Sequence, residues 1–517
     1  MSQSSQASRR LFLQQAAALG SLGVAPMALN LAALGPAAAA GATDYKALVC
    51  VFLTGGNDAY NTVLATDTDS WSRYKAVRKS SGSDSISLLK DVAPDSGAIA
   101  CTPAWLGGVR ALQPANTQGR SFALHPSLAQ MQRLFNTDKR LAILSNVGTL
   151  VEPVDRSTYV AGQAKLPDPL FSHNDQASQW LAMGREGASQ GWGGRMADAF
   201  AADNNQSLFT AVSVAGNAVW LSGKTVRQYS TNPSGAIKYG FSRDSKGIER
   251  IGGSVEAAAA IKRQAMQPGS NHLLMKDLAA IHQASIQAES QLSSALPDLE
   301  AAPYGPASVL DVTLPVSGKV RGGLADQLRM VAAMISAGQK LGLKRQVFFV
   351  TLPGFDTHNG QNRRHTELMM QLDFGLAYFD NVLQSLGLGN QVTTFTASDF
   401  GRTFTSNGDG TDHGWGSHQF VMGGAVKGGD IHGAFPVFGT KNTQNNDFTG
   451  SADQLYNGVL LPKQSSVRAL AEHGLAPAGD ALVGLDLQQH PARRNAPARD
   501  RTARASLLAR RDDRFHP

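Results

Sequence analysis

Five of the twelve histidines fall close together: His358, His365, His413, His418 and His432. They are mixed with Asp356, Asp399, Asp409 and Asp412, and Asp58 joins them in residue type from the turn Gly55-Gly56-Asn57-Asp58. Carboxylate oxygens and neutral imidazole nitrogens are the ligands of divalent ions, Zn first, with Mn, Ca or Mg as alternatives. One ion could polarise a substrate, and two about 4 Å apart could clamp both oxygens of a displacement at phosphorus or sulfur. Each residue also has a plainer use. Asp58 could close a turn, Asp356 could cap a following helix, and Asp399 could pair with Arg402. His365 reads as structural, on a helix face, and His418 could lie on the surface. Taken together, Asp58, Asp356, His358, Asp399, Asp412, His413 and His418 read as a candidate metal set, because separate segments carry ligand-type residues. Ser172 and His173 open a helical stretch. A serine there serves as a helix cap or as an attacking hydroxyl, and both uses stay open. His173 could be a ligand or a proton donor, and Arg402 could hold an anionic oxygen.

The elements that must position these residues are legible as short apolar runs. Residues 47–53, 141–144, 346–351 and 391–396 are rich in β-branched and aromatic side chains and end in Gly, Asn, Asp or Ser. Continuous rather than alternating apolar character predicts strands covered on both faces. Helical periodicity over 324–341 and 363–386 lies between them, so the fold class is α/β with a mostly parallel sheet. Ligands of such sheets bind beyond the carboxyl ends of the strands, where the candidate residues fall. Residues 215–320 read as a helical and irregular insertion or cap, and 425–463 as loops with short strands. No internal repeat is present.

The formal charge is +7, but Arg9 and Arg10 supply two charges and residues 491–517 a net five, so residues 43–490 are neutral. A neutral body argues against nucleic acid as a partner. Residues 464–517 read as a divergent tail, basic and disordered from 490. The pair Arg9-Arg10, the apolar stretch after it and the small residues up to Ala42 form a twin-arginine signal peptide over 1–42. The expected partner during export is the twin-arginine translocase, and the expected location is the periplasm or the exterior. No stable membrane span remains after cleavage. Cys50 sits in an apolar run, where a buried thiol is commoner than a disulfide.

The motifs Phe52-Leu-Thr-Gly-Gly-Asn-Asp58, Leu124-His125-Pro126, Ser172-His173 and Gly191-Trp-Gly-Gly-Arg195 occur in that order. They are followed by Gly354-Phe-Asp-Thr-His358, Ser398-Asp-Phe-Gly-Arg-Thr403 and Asn407-Gly-Asp-Gly-Thr-Asp-His-Gly414. In this the chain resembles the family catalogued as domain of unknown function 1501, grouped with the alkaline phosphatase and sulfatase superfamily. The resemblance implies an alkaline phosphatase-like three-layer α/β/α sandwich over 43–463. It also implies metal ligands at Asp58, Asp356, His358, Asp399 and His413, and a nucleophile at Ser172. Phe400 departs from the pattern, since it stands where a ligand histidine is expected. Asp412 or His418 could fill that gap, or the site could keep one ion. The expected activity is metal-dependent hydrolysis of phosphate or sulfate monoesters. The alternative is a non-catalytic exported protein that binds polysaccharide or assists surface assembly.

Overall fold

The computed structural model describes residues 44–438 and 465–466, apart from 80–83, 150, 152–157, 159–160, 168, 185, 205–206, 236–241, 244–247, 268 and 270–271. The described residues fall in one compact unit, Met1–Leu485; a second, Asp486–Pro517, lies outside them, as does the expected signal peptide.

The central sheet is built from β1 (Lys46–Thr54), β2 (Leu141–Gly148), β3 (Ala211–Ser213), β4 (Tyr229–Ser230), β5 (Arg345–Pro353), β6 (Val392–Ser398), β7 (Ser417–Met422), β8 (Ile431–His432) and β9 (Ser465–Ser466). Its order is β8-β2-β7-β6-β1-β5-β3-β4, with β9 also on β2. Among the described residues, every pairing in it is parallel except the two made by β7. The four apolar runs are therefore strands, as expected. β7 is not legible in the sequence, because Ser417, His418 and Gln419 break its apolar character and glycines surround it.

β1 explains the unbroken apolar pattern. Ala47, Val49, Val51 and Leu53 enter one core, and Leu48, Cys50 and Phe52 enter another on the opposite face. The first core is closed by α2 (Ala129–Asn136), α7 (Gly323–Lys340) and α8 (Gln361–Ser385), through residues such as Phe135, Ile335 and Leu372. The second is closed by α3 (His173–Ala182) and α4 (Trp192–Phe200), through Trp180, Trp192 and Met196. The result is a three-layer α/β/α sandwich. Within 215–320, α5 (Val255–Ala265) precedes α6 (Leu273–Ala295), and Ala288, Leu292 and Ala295 of α6 join the first core. Cys50 and Cys101 are both buried free thiols. Among the described residues, no helix is long and apolar enough to cross a membrane.

Register is what brings the candidate residues together. Thr54 pairs with Pro353, and Leu53 with Ser398. β1, β5 and β6 thus end level, and the loops after them leave the sheet side by side. Gly55 is required at that edge: a Cβ there would lie 2.4 Å from the backbone nitrogen of Asp356, and its φ of +116° disfavours any side chain.

Asp58, expected as a metal ligand, has its carboxylate engaged by protein groups. It is fully buried in a two-pronged ion pair with Arg78, the last residue of α1 (Thr68–Arg78). Arg78 Nη1 and Nη2 donate to the two carboxylate oxygens at 2.5 and 2.9 Å. Gln361 Nε2 donates at 2.6 Å and the Tyr60 N–H at 3.1 Å. Burial works against the charged form of Asp58, but Arg78 outweighs it and holds the carboxyl below its usual range. Breaking such a pair strands a buried charge, so Asp58→Ala is expected to cost about 3–5 kcal/mol in urea unfolding. Asp58→Asn keeps the shape and should cost less, and it should leave metal content unchanged. A loss of bound metal in a folded Asp58→Asn protein would restore Asp58 as a ligand.

Candidate metal centre

Three imidazoles surround Asp356. His173 begins α3, His358 follows β5, and His413 lies in the loop before β7. In each ring Nδ1 faces an oxygen that can only accept. His173 Nδ1 lies 2.7 Å from Asp399 Oδ2, His358 Nδ1 lies 3.1 Å from Asp412 Oδ1, and His413 Nδ1 lies 2.8 Å from the carbonyl of Phe171. Nδ1 must therefore carry the proton, and in the neutral ring Nε2 keeps its lone pair. All three Nε2 atoms turn toward Asp356, at 3.7 Å (His173), 3.1 Å (His358) and 3.5 Å (His413).

These separations suit ligands of one ion. Bonds near 2.0–2.1 Å in a tetrahedron place neighbouring ligand atoms about 3.3 Å apart. The ligand atoms of His173, Asp356 and His413 all lie within 4.8 Å of one another. His358 Nε2 lies 2.9 Å from His413 Nε2. Two lone pairs at that distance repel unless a cation, either a proton or a metal ion, lies beside them. An oxygen acceptor behind each ligand imidazole is the usual support of a metal-bound histidine. The donor set therefore fits a divalent ion held by His173, Asp356 and His413, with His358 at its flank.

Electrostatics agree with ligand-ready states. Burial disfavours ionised Asp356, but Arg402 and then His358 and His173 outweigh it, and the carboxyl stays below its usual range. Burial lowers the pKa of His413; the Phe171 carbonyl opposes this, Arg402, His173 and His358 add to it, and the net effect favours the neutral ring.

The other expected ligands take different places. Asp399 is buried, accepts the Gly55 N–H at 3.2 Å and stands behind His173. Asp412 stands behind His358 and accepts from Asn407 Nδ2 at 2.9 Å. His418 is buried in the core rather than on the surface. Its Nδ1 accepts the Asn146 N–H at 3.0 Å, and its ring stacks on Phe435 with centroids 4.5 Å apart. Phe400 is buried with ring centroids 4.6 Å from His173 and 4.5 Å from His413, so it packs the ligand rings. Ser172 sits at the N-cap of α3, yet no helix N–H bonds to its side chain; the hydroxyl donates to Asp175 Oδ2 at 2.7 Å.

Arg402 is not free to hold a substrate oxygen. It is fully buried, and its N–H groups are consumed by the protein. Nε donates to the Gly56 carbonyl at 3.0 Å, Nη1 to that of Thr411 at 3.2 Å, and Nη2 to those of Gly55 at 2.6 Å and Phe355 at 3.2 Å. Nη2 also pairs with Asp356, and Nη1 lies 3.4 Å from His358 Nε2. Sequence reasoning also missed the Phe171 carbonyl and Asp175. Only the Ser-x-x-Asp spacing could have pointed to Asp175, and no side-chain pattern announces a carbonyl.

Two outcomes follow. Arg402→Lys cannot reproduce a fork serving three loops, and Arg402→Ala leaves buried acceptors unpaired. Each is expected to lower stability by about 3–5 kcal/mol and to abolish metal uptake, read by urea unfolding and elemental mass spectrometry. The second concerns pH. Burial lowers His418 from 6.5 to about 3, His365 to about 4, and His125 well below 6.5. The unfolded chain binds these protons first, so stability is present above pH 6.5 and falls as pH drops. Each histidine contributes a loss of about 1.4 kcal/mol per pH unit below that point. His418→Phe is expected to reduce the slope of unfolding free energy between pH 6.5 and 5 by one proton.

Comparison with known proteins gives the chain a family. A search of curated proteins finds no match. Among solved structures, the chain is similar to the PsFucS1 sulfatase of Pseudoalteromonas sp., at 11% identity and a TM-score of 0.28, over 85% of this chain and 76% of that one. It is also similar to a quadruple mutant of alkaline phosphatase PafA, at 13% identity and a TM-score of 0.22, over 71% of this chain and 64% of the other. At these scores the likenesses leave function to be argued from the site. The profile of the proteins of unknown function DUF1501 matches residues 45–457, and the chain belongs to that family.

Proposed function

We propose that this protein is an exported, divalent-metal-dependent hydrolase of phosphate or sulfate monoesters. One observation carries the reading: three imidazoles with Nδ1 pinned to oxygen acceptors turn Nε2 toward one half-exposed carboxylate, Asp356, at the carboxyl edge of the sheet. His173, Asp356 and His413 would hold the ion, Zn before Mn, Ca or Mg. When bound, such an ion polarises an ester oxygen and lowers the pKa of an attached hydroxyl or water. Asp399, Asp412 and the Phe171 carbonyl orient the rings and keep their protons on Nδ1. Ser172, between Phe171 and His173 in the chain, would supply the attacking oxygen. Arg402 holds Asp356 ionised. Export through the twin-arginine translocase follows from Arg9-Arg10 and the apolar stretch after them, and the substrate class is a small anionic ester or a charged polysaccharide.

A second reading, a non-catalytic exported binding protein, draws on Phe400. Its ring packs against His173 and His413 where a further ligand would be needed for a second ion.

The test is metal content of protein purified without chelator, followed by turnover of phosphate and sulfate monoesters. One equivalent of metal is expected, lost in Asp356→Ala and kept in Ser172→Ala. Turnover should fall by at least about 100-fold in both. Absence of metal, with none taken up on dialysis, retires the hydrolase. Bound metal without turnover of either ester class favours the binding protein.

A further inference from the structure

We infer that Asp175 is the proton acceptor for Ser172, so that the two form a nucleophile–base pair beside the metal centre. The inference rests on the hydrolase reading in taking Ser172 as the attacking group. A serine at an N-cap normally accepts a backbone N–H of the first turn. Ser172 makes no such bond, and its hydroxyl proton points instead to Asp175 Oδ2, 2.7 Å away. A hydroxyl within hydrogen-bond reach of a carboxylate is the arrangement that activates a nucleophile.

The turn carrying Ser172 is held on three sides. The Phe171 N–H donates to Oε1 of the buried Gln176 at 2.5 Å, and its carbonyl accepts from His413. His173 is anchored by Asp399. Phe171 adopts φ +67°, a left-handed conformation that a bulky residue keeps only when its surroundings impose it. Ser172 and Asp175 are both partly exposed. As the Ser172 Oγ–P (or –S) bond forms, the hydroxyl proton passes to Asp175 and the ester oxygen leaves, taking a proton from Asp175 or water. Water then attacks the Ser172 ester, returning a proton to Oγ and releasing phosphate or sulfate.

The test needs no known substrate. A small alkyl fluorophosphonate forms an Oγ–P bond with an activated serine and expels fluoride. Intact-mass and peptide analysis read the site and rate. Labelling of Ser172 is expected in the wild type, none there in Ser172→Ala, and a rate about 100-fold lower in Asp175→Asn. Asp175→Glu, which keeps a carboxylate, should recover part of the rate. Metal content and the thermal midpoint of both Asp175 variants should match the wild type. Equal labelling in wild type and Asp175→Asn overturns the role of Asp175 while leaving Ser172 and the hydrolase intact. No labelling of Ser172 in metal-loaded wild type overturns the pair itself. Loss of metal in Asp175→Asn would make Asp175 a support of the metal centre and also overturn the inference. Failure of the hydrolase reading shows separately, as absent metal.

Discussion

Everything at the candidate centre depends on one buried guanidinium. Arg402 donates to carbonyls of Gly55, Gly56, Phe355 and Thr411, so it ties together the loops after β1 and β5 and the loop that carries His413. Irregular backbone at a sheet edge has carbonyls that no strand partner satisfies, and burying them unpaired is costly. A planar fork with five donors meets several at once, which an ammonium cannot do. Its remaining charge is balanced by Asp356, so the residue that assembles the loops also keeps the central carboxylate ionised.

A second buried fork works one step further from the centre. Arg78 binds Asp58 and the carbonyls of Thr403 and Phe404, joining α1 to the turn after β1 and to the chain just past Arg402. Gln361, at the start of α8, reaches the same carboxylate. The two arginines divide the labour. Arg78 fixes the turn from behind, and Arg402 fixes the loops that face solvent. Asp58 is engaged on both carboxylate oxygens in this framework.

Among the carboxylates, position relative to the rings distinguishes the candidate ligand from its candidate supports. Asp399 and Asp412 approach Nδ1, and Asp356 approaches Nε2. An acid on the Nδ1 side strengthens the ring as a donor, and one on the Nε2 side shares its target. Phe400 adds apolar wall to the same rings.

Much of this protein is decided locally. The runs that became β1, β2, β5 and β6 are apolar on both faces, which only a covered strand satisfies, and helices between them impose parallel order. Hence the sheet, and the clustering of Asp356, His358, Asp399 and His413 at its carboxyl edge, could be read from residues 47–53, 141–144, 346–351 and 391–396 and the polar residues around them. The sequence also marked Ser172 and His173 as the opening of a helix. It could not assign roles among residues of the same type. Asp58, Asp356, Asp399 and Asp412 are chemically alike, and His413 and His418 are five positions apart, yet one faces the centre and the other lies in the core. Those differences come from which partner the tertiary fold brings within about 3 Å, and hydrogen bonds and ion pairs act only over that range. Arg402 shows the limit most clearly: its side chain suggested an anion site, and only the packing of distant loops turned it into the bolt that holds them.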